Sequence, residues 1–444
     1  MPDSKAEKMD KSIMKDYKSY SNLPRIGDAI DALAGITEAD RPYTRLVFSP
    51  EFDQGRVWLR DAFTAAGLGC HVDAGGSLIG LRPSQQLAND AARDPDATKP
   101  KLIIGSHIDT VPSGGRFDGI AGVIAALEVV HYLNAGDIDL PFDLEIVDYL
   151  GEELNVWGTS CLGSRHMAGL VTAEMLARTD ADGRVLGSEI ARIGGSGKPS
   201  NGVRPDAASI IACLELHIEQ ARVLENGGHD IGVVTAIPGI YRYGLSITGT
   251  AGHSGTTVME GRQDALVAAA DIIQAVSAVA GEIARSDNQH FVATIGKIDV
   301  FPNGAAIVPG QVEMTLDMRA QSDRARDDFL TRLEAILTRT ETERRCGISF
   351  NPLAAAPAAP MAGRLMNLLT DTSTALGLSV INISSGAGHD SAHLSRFAPA
   401  AMIFIPCLDG RSHCPEEFAT NEAIAKGAAG LTAAVLDLAG KAGG

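Results

Sequence analysis

The chain contains the segment KLIIGSHIDT at residues 101–110, a short apolar run that leads directly into polar side chains. Its apolar part, 101–106, predicts a buried strand, and the stretch that follows predicts a helix over 119–135. Further buried strands are expected at 142–150, 209–216, 379–384 and 400–405. Further helices are expected at 162–169, 362–377 and 421–440. Strands that alternate with helices indicate a mostly parallel sheet with helices on both faces.

The pattern changes after about residue 230. Half-exposed strands with alternating polarity are expected at 241–250, 291–300 and 311–320. Long helices are expected at 262–285 and 324–345. This order is typical of a small sandwich of helices on an antiparallel sheet. We therefore predict an α/β fold of two domains, in which an α+β sandwich, 233–353, is inserted between the two parts of the larger domain, 1–232 and 354–444. The Ala/Pro-rich stretch 353–360 is typical of a linker between them.

Composition limits the classes of function. Hydrophobic residues make up 45% and charged residues 21% of the 444 positions, which is ordinary for a globular protein. With 38 basic and 55 acidic residues the net charge is −17, so nucleic acid and anionic membrane surfaces are poor partners. The longest apolar stretch is too short for a membrane span, and residues 1–21 lack the core of a signal peptide. Six cysteines without a Cys-x-x-Cys pair predict free thiols and a cytoplasmic protein.

Histidines and acids recur where the predicted core strands end. In open α/β sheets, functional groups gather at the carboxyl ends of the strands. The residues in such positions are His107, Asp109, Asp118, Glu152, Glu153, His217 and His413. Imidazole and carboxylate are the ligands of zinc, manganese, cobalt or nickel. Five of these ligands with a shared aspartate suit two divalent ions and a bridging water, and a spare glutamate would serve as the base.

Each position also has a simpler interpretation. Asp118 alone could be the N-cap of the helix at 119–135. Glu152 and Glu153 could be a solvated pair of charges in a loop. His217 could be a structural histidine with satisfied hydrogen bonds. Only the coincidence of all these positions favours a metal site.

Six segments carry a resemblance to a known family. They are GSHIDTVPSGGRFDGIAGV (105–123), the acidic pair 152–153 with GTSCLGSR (158–165), ELHIEQ (215–220), AGHSGTT (251–257), SGAGHD (385–390) and SHCPEE (412–417). In this order they resemble the M20-type metallo-amidohydrolases. The similar branch contains N-carbamoyl-L-amino-acid hydrolases, allantoate amidohydrolases and β-alanine synthase.

This resemblance implies roles for particular residues. One metal would be held by His107, His217 and Asp118, and the other by Asp118, Glu153 and His413. Asp109 would stand behind the His107 ligand, and Glu152 would be the general base.

The resemblance also implies that the inserted domain is a lid and dimerisation domain. His253 would stabilise the oxyanion from that domain, across the interface of a homodimer or after domain closure. His389, Gln220 and Arg319 would contact the substrate, with Gln220 on the ureido group and Arg319 on the carboxylate. From the residues alone, His253 could also be a turn residue and Arg319 half of a surface ion pair.

Three departures from the family pattern concern the substrate. Ala306 stands where the family usually has an asparagine that helps to bind the carboxylate, and Asn303 is the candidate to replace it. Leu154 to Trp157 replace Gly-Ser-Arg-Phe, which predicts a larger and more apolar wall beside the metals. Ala221 replaces the usual glycine after Gln220.

The leading hypothesis is a dinuclear-metal hydrolase that cleaves a C–N bond of a small N-carbamoyl or ureido acid. An N-acyl-amino-acid hydrolase or a dipeptidase-like enzyme is the alternative within the family. A binding protein that retained a metal site without catalysis is the alternative from another class, and the intact Glu152 argues against it.

Overall fold

The structure is a computed structural model that describes residues 16–87, 99–286 and 290–442. The chain forms two compact units. The larger comprises Met1–Thr235, Met361–Ile383 and His389–Gly444, and the smaller comprises Ala236–Pro360 with Ser384–Gly388. The domain limits predicted from sequence, 1–232, 233–353 and 354–444, stay predictions.

The described strands are numbered here in chain order. They are β1 (Gly69–Val72), β2 (Leu78–Arg82), β3 (Lys101–Ser106), β4 (Asp143–Asp148), β5 (Ile210–Ile218), β6 (Ile231–Val234), β7 (Ala236–Ile237), β8 (Gly239–Thr248), β9 (Gly252–His253), β10 (Phe291–Phe301), β11 (Ile307–Val308), β12 (Gln311–Ala320), β13 (Gly347–Ala356), β14 (Ala359–Pro360), β15 (Val380–Ile383) and β16 (Ala400–Ile405).

The described helices are named by their bounds. They are Leu23–Gly35, Pro50–Ala65, Ile120–Ala135, Leu162–Met167, Ala173–Leu176, Leu186–Arg192, Val223–Gly227, Ala265–Ser286, Asp323–Arg344, Gly363–Ala375, Ser391–Leu394 and Asn421–Ala442, with short 3₁₀ turns at Tyr17–Ser19, Ala207–Ser209 and Leu408–Gly410.

The larger unit is built on an eight-stranded sheet in the order β1-β2-β4-β3-β5-β16-β6-β15. Its centre is parallel: β4, β3, β5 and β16 pair side by side in one direction. Leu102 and Ile104 face one apolar core and Ile103 faces another, so β3 is buried on both sides. Because the four central strands run in parallel, the segments that follow them emerge at one edge of the sheet. The predicted α/β fold class is confirmed.

The smaller unit has an antiparallel sheet in the order β10-β12-β8-β13. Helices Ala265–Ser286 and Asp323–Arg344 pack on it through a core that includes Ile272, Leu316 and Phe329. The helices bury the apolar positions that recur every three or four residues, which is the pattern that predicted them.

Two sequence expectations are corrected. The stretch 353–360 is not a linker, because β13 runs to Ala356 and β14 covers Ala359–Pro360. A proline inside β13, Pro352, is tolerated because β13 lies at the edge of its sheet. The strand expected at 209–216 continues to Ile218, so His217 lies within β5 rather than beyond it.

Two described helices, Ala265–Ser286 and Asn421–Gly440, are long and apolar enough to cross a membrane by length and composition alone. Each packs against the sheet of its own unit, and core helices meet the same criterion. They are therefore weak grounds for a span, and the absence of a membrane partner stays a prediction. All six cysteines are free thiols, as expected.

An ion cluster joins the amino ends of the central strands. The Lys101 ammonium lies 2.6 Å from Glu145 and 2.5 Å from Asp206. The Arg204 guanidinium lies 2.6 Å from Asp206 and 3.1 Å from Glu145. Burial alone would raise the pKa of Asp206, but the hydrogen bonds from Arg204 and Lys101 hold it below its ordinary value. The cluster therefore stabilises the fold while Asp206 is ionised.

Asp206→Asn is expected to lower the melting temperature at pH 7 and to have less effect in acid. A carboxyl whose pKa is depressed by folding stabilises the protein above its unfolded-state pKa, near 3.8, and loses that contribution as the pH falls through the folded value. Thermal unfolding of both proteins from pH 7 to pH 2 measures this, and the difference should begin to shrink below about pH 4. An undiminished difference at low pH would show that the stabilisation does not depend on ionisation.

Candidate metal centre

The predicted ligands come from segments at the carboxyl edge of the central sheet. His107 follows β3 directly, Glu153 lies five residues beyond β4, and His217 lies near the end of β5. His413 lies in the loop after β16. Asp118 precedes helix Ile120–Ala135. Parallel pairing of the four strands brings these segments together although they span 300 residues of sequence.

Five side chains form two groups of three that share one carboxylate, and in each group one ligand atom per residue lies within 4.8 Å of the others. We call His107, Asp118 and His217 the first triplet, and Asp118, Glu153 and His413 the second triplet. In the first, Asp118 Oδ1 lies 2.9 Å from His217 Nε2 and 3.6 Å from His107 Nε2. In the second, His413 Nε2 lies 3.1 Å from Asp118 Oδ2 and 3.2 Å from Glu153 Oε1. Each oxygen of Asp118 therefore faces a different triplet.

The donor set suits divalent metal ions. All five ligands are imidazoles or carboxylates, without a thiolate. Within the described residues, the buried Nε2 of His107 has no hydrogen-bond partner. Its Nδ1 lies 3.0 Å from the carbonyl oxygen of Asp109, which can only accept, so Nδ1 carries the proton and Nε2 presents a lone pair. An unpaired lone pair aimed at the other ligands is what a metal ligand requires.

The simpler interpretations of Asp118 and of the glutamate pair do not fit the geometry. The N-cap of helix Ile120–Ala135 is Gly119, without a side-chain hydrogen bond, so Asp118 is not a helix cap. Glu152 is only 8% exposed and Glu153 is half-buried, so they are not a solvated pair of charges.

Asp109 contacts both His107 and the turn that carries Glu152 and Glu153. Its carboxylate accepts the backbone N–H groups of Glu152 and Glu153, each at 3.1 Å. The side-chain carboxylate of Asp109 lies 3.6 Å from His107 Nδ1, whereas the backbone carbonyl oxygen of Asp109 lies 3.0 Å from the same nitrogen. The predicted support of His107 by Asp109 thus runs mainly through the backbone, and the side chain instead fixes the turn that carries the two glutamates.

The charges of the site favour cations. Burial alone would raise the pKa of Asp118, but His217 and His413 hold it well below its ordinary value. Burial would lower the pKa of His217, but Asp118 raises it to about 9. Hydrogen bonds to Asp118 and Glu153 raise the pKa of His413 to about 11. Burial lowers the pKa of His107 to about 4. Positive charge is thus stabilised within both triplets.

Glu152 lies beside the triplets without belonging to either. Its Oε2 is 3.7 Å from His107 Nε2, and its Oε1 is 3.5 Å from the Cys161 thiol. Burial, together with the charge of Glu153, raises the pKa of Glu152 well above its ordinary value. A carboxylate of raised basicity next to a candidate metal site suits a proton acceptor.

A buried arginine positions the segment after β3. Arg45 is 1% exposed and donates to the carbonyl oxygens of Ile108, Leu33 and Ile36 at 2.8, 2.6 and 2.9 Å. Its backbone N–H donates to Thr110 Oγ1 at 2.8 Å. The guanidinium thereby joins helix Leu23–Gly35 to the segment that carries His107.

Arg45→Met is expected to lower the free energy of unfolding by at least about 2 kcal/mol. It removes the guanidinium donor of three carbonyl groups; Leu33 keeps the N–H of Ile36, but the carbonyls of Ile108 and Ile36 lose this donor, and each unpaired buried group costs about 1–3 kcal/mol. Urea denaturation of the wild type, Arg45→Met and Arg45→Lys measures the difference, and the lysine variant should retain part of the stability. A change below about 1 kcal/mol in the methionine variant would contradict a structural role.

Two predicted substrate residues of the larger unit already contact the ligands. Gln220 Nε2 donates to Asp118 Oδ2 at 2.9 Å, so this amide holds a candidate ligand. The His389 ring is buried against His217, with centroids 4.5 Å apart, and against Phe404 at 5.6 Å. Burial lowers the pKa of His389 well below its ordinary value, which keeps the imidazole neutral.

The other predicted substrate residues belong to the smaller unit. His253 is exposed in β9, and its Nδ1 accepts the N–H groups of Gly255 and Thr256 at 3.2 and 3.3 Å. It therefore organises its own turn, as one interpretation held. Ala306 lies beside this turn, because its carbonyl oxygen accepts the N–H of Ser254.

Arg319 and Asn303 are also placed by local contacts in that unit. Arg319 donates to the carbonyl oxygen of Gly386 at 3.0 Å and lies 3.5 Å from Asp317. It thus forms a surface ion pair with Asp317. Asn303 is exposed, with a φ of 57°.

The segment Leu154–Trp157 differs from its predicted form. Trp157 is 3% exposed, packs against Phe48 with centroids 5.5 Å apart, and donates to the carbonyl oxygen of Arg184. It is therefore a core residue and not part of a wall beside the metals. Leu154 and Val156 are instead 68% and 62% exposed.

The sequence interpretation missed two residues that contact Asp118 or its loop. Ser412 donates toward Asp118 Oδ2, and Glu417 accepts the N–H groups of residues 117 and 118. Both lie in the SHCPEE segment around His413, so proximity to a ligand in sequence was the available signal.

Known proteins resemble the chain along most of its length. Residues 103–437 match the model of peptidase family M20/M25/M40. An N-carbamoyl-L-amino-acid amidohydrolase of Paenarthrobacter aurescens is 32% identical, covering 91% of this chain and 95% of that protein. A ureidoglycolate hydrolase of Arabidopsis thaliana is also 32% identical, covering 91% and 84%. The crystal structure of an amidase of the hydantoinase/carbamoylase family from Burkholderia multivorans superimposes with a TM-score of 0.82 at 31% identity, covering 94% and 98%.

These likenesses agree with the six segments from which the family was predicted, and they extend over both compact units. The chain is an amidohydrolase and belongs to peptidase family M20/M25/M40.

Proposed function

We propose that the protein is a dinuclear-metal hydrolase that cleaves a C–N bond of a small N-carbamoyl or ureido acid. The observation that carries this proposal is the division of Asp118, one oxygen facing each triplet, with Glu152 beside them. His107, His217 and Asp118 would hold one divalent ion, and Asp118, Glu153 and His413 the other. The relatives named for N-carbamoyl-L-amino acids and for ureidoglycolate support a linear ureido substrate.

The residues of the chain divide the chemistry between them. Metal ions bound in the two triplets would supply an activated water and polarise the scissile carbonyl. Glu152 accepts the proton of the attacking water and delivers it to the leaving nitrogen as the C–N bond breaks. One water and one N-carbamoyl compound then give the free amine, carbon dioxide and ammonia. Asp109 holds Glu152 in place through the backbone.

The family resemblance also suggests roles toward the substrate for residues of the smaller unit. We assign His253 to the oxyanion, which needs a donor, and Arg319 with Asn303 to the substrate carboxylate, which suits a guanidinium fork. His389 and Gln220 would line the ureido group from the larger unit. A homodimer and a cytoplasmic location belong to the same proposal, as does the choice among zinc, manganese, cobalt and nickel.

The alternative within the family is hydrolysis of an N-acyl bond. Leu154 and Val156 favour it, since they expose apolar side chains within three residues of Glu153. An apolar acyl group would bury such surface, whereas a carbamoyl group would not.

The test is ammonia release by metal-loaded protein from N-carbamoyl-L-amino acids, N-carbamoyl-β-alanine, allantoate and N-acyl amino acids. Ammonia from a ureido compound, absent with Glu152→Gln, is the expected result. Release of a free acid from an acyl substrate would replace the proposal with the alternative. Binding of these compounds without any turnover would identify a non-catalytic binding protein.

A further inference from the structure

The carboxyl-terminal segment after His413 returns to the loop that carries Asp118. Glu417 is 2% exposed, and its Oε1 accepts the backbone N–H groups of Phe117 and Asp118 at 2.8 and 3.0 Å. These bonds join positions 299 or more residues apart in sequence. They connect the loop of one metal ligand, Asp118, with the loop of another, His413.

A hydroxyl extends this connection to the carboxylate itself. Ser412 Oγ lies 2.7 Å from Glu417 Oε2 and 2.9 Å from Asp118 Oδ2. The Gln220 amide nitrogen reaches both Asp118 Oδ2, at 2.9 Å, and Ser412 Oγ, at 3.3 Å. Oδ2 is the oxygen that faces His413 and the second triplet. The polar contacts from Ser412 and Gln220 therefore converge on one oxygen of the shared ligand.

The carboxylate of Glu417 is packed closely against the backbone at position 115. A Cβ at position 115 would overlap the Glu417 carboxylate, so the glycine there makes room for it. The neighbouring Glu416 is exposed. Of the two adjacent acids, only Glu417 makes the described contacts with the Asp118 loop.

We propose that Glu417 and Ser412 are positioning residues that set the spacing and orientation of Asp118 Oδ2 for the second triplet. The inference rests on the proposed metal function. The first triplet depends on Asp118 Oδ1, on His107 directly after β3 and on His217 in β5. Neither Ser412 nor Glu417 makes a described hydrogen bond with these three. Loss of the Ser412 or Glu417 contacts should therefore weaken one metal site more than the other.

The experiment is titration of chelator-treated full-length protein with Co²⁺, followed by visible absorption, for four variants. Ser412→Ala should bind the first equivalent as the wild type does and the second about 10–100-fold more weakly, as is usual when a hydrogen-bond partner of a metal ligand is lost. Glu417→Ala should show the same result, with normal binding of the first equivalent and weaker binding of the second. Glu417→Gln should restore binding, since its amide oxygen can accept both N–H groups and its amide nitrogen can donate to Ser412. Glu416→Gln is the matched control and should bind as the wild type does.

The outcomes separate the inference from the proposed function. Two wild-type affinities in Ser412→Ala, or equal weakening of both equivalents, would overturn the positioning role while leaving the metal function intact. A wild-type protein that binds no Co²⁺ would overturn the metal function itself. If Glu417→Ala fails to fold, the binding curves of Ser412→Ala and Glu417→Gln test the positioning role instead. The kcat and KM of Ser412→Ala give a second readout: kcat at limiting metal should fall and recover with excess metal, whereas KM should stay near the wild-type value.

Discussion

Glu152→Gln is expected to lower kcat by at least about 100-fold for whichever ureido or amide compound the protein hydrolyses, with little change in KM. General acid–base groups contribute about 10²–10⁴-fold to rate, and an amide of the same size cannot accept a proton. Among the described residues, Glu152 is the acid that lies next to His107 Nε2, on the side of the other candidate ligands, without belonging to either triplet. Steady-state rates of ammonia or acid release, measured with saturating metal, test this expectation.

Two controls make the result specific to proton transfer. The variant should bind as much metal as the wild type and melt at a similar temperature, because the described polar contact of the Glu152 side chain within hydrogen-bonding range is the Cys161 thiol. Glu416→Gln removes an exposed acid from the same edge of the unit and should leave kcat unchanged. If Glu152→Gln retained most of its kcat with full metal content, another group would have to be the base.

The positions of the candidate metal ligands were predictable because sheet geometry decides them. Once β3, β4, β5 and β16 are assigned as parallel neighbours, side chains at their carboxyl ends must meet. The motif spacing then distinguishes Asp118 from an ordinary helix cap only in combination with the other ligands. A single segment could not have done so, because an aspartate just before a helix is also the usual capping residue.

The surroundings of the ligands were less predictable because they depend on contacts distant in sequence. Trp157 follows the glutamate pair, but Phe48 and the carbonyl of Arg184 draw its ring into the core. Gln220 has a φ of 58°, and this left-handed conformation accompanies the contact of its amide with Asp118. Neither the partner of Trp157 nor the turn at Gln220 is encoded in local periodicity.

The helices Leu23–Gly35 and Pro50–Ala65 carried signals that the prediction did not use. Asn22 and Ser49 are N-caps that accept the N–H groups of Arg25 and Phe52, and each is followed within two residues by a proline. This combination is a strong sign of a helix start. The arginine between these two helices, Arg45, then positions the segment that carries His107.

Asp118→Asn is expected to impair both metal sites, whereas Glu153→Gln should impair only one. An asparagine offers one oxygen, so its N–H₂ group must face either the imidazoles of the first triplet or the donors of Ser412 and Gln220. Metal that binds only the folded state at 100 times its Kd stabilises that state by about 2.7 kcal/mol.

Melting curves with and without added metal report this stabilisation. The wild type should melt at a higher temperature with metal, Glu153→Gln should retain part of that shift, and Asp118→Asn should lose nearly all of it. The two variants are matched, since each replaces one ligand carboxylate by its amide. Equal residual shifts in both would mean that Asp118 serves one triplet only, and the division of its two oxygens between the triplets would then have no functional meaning.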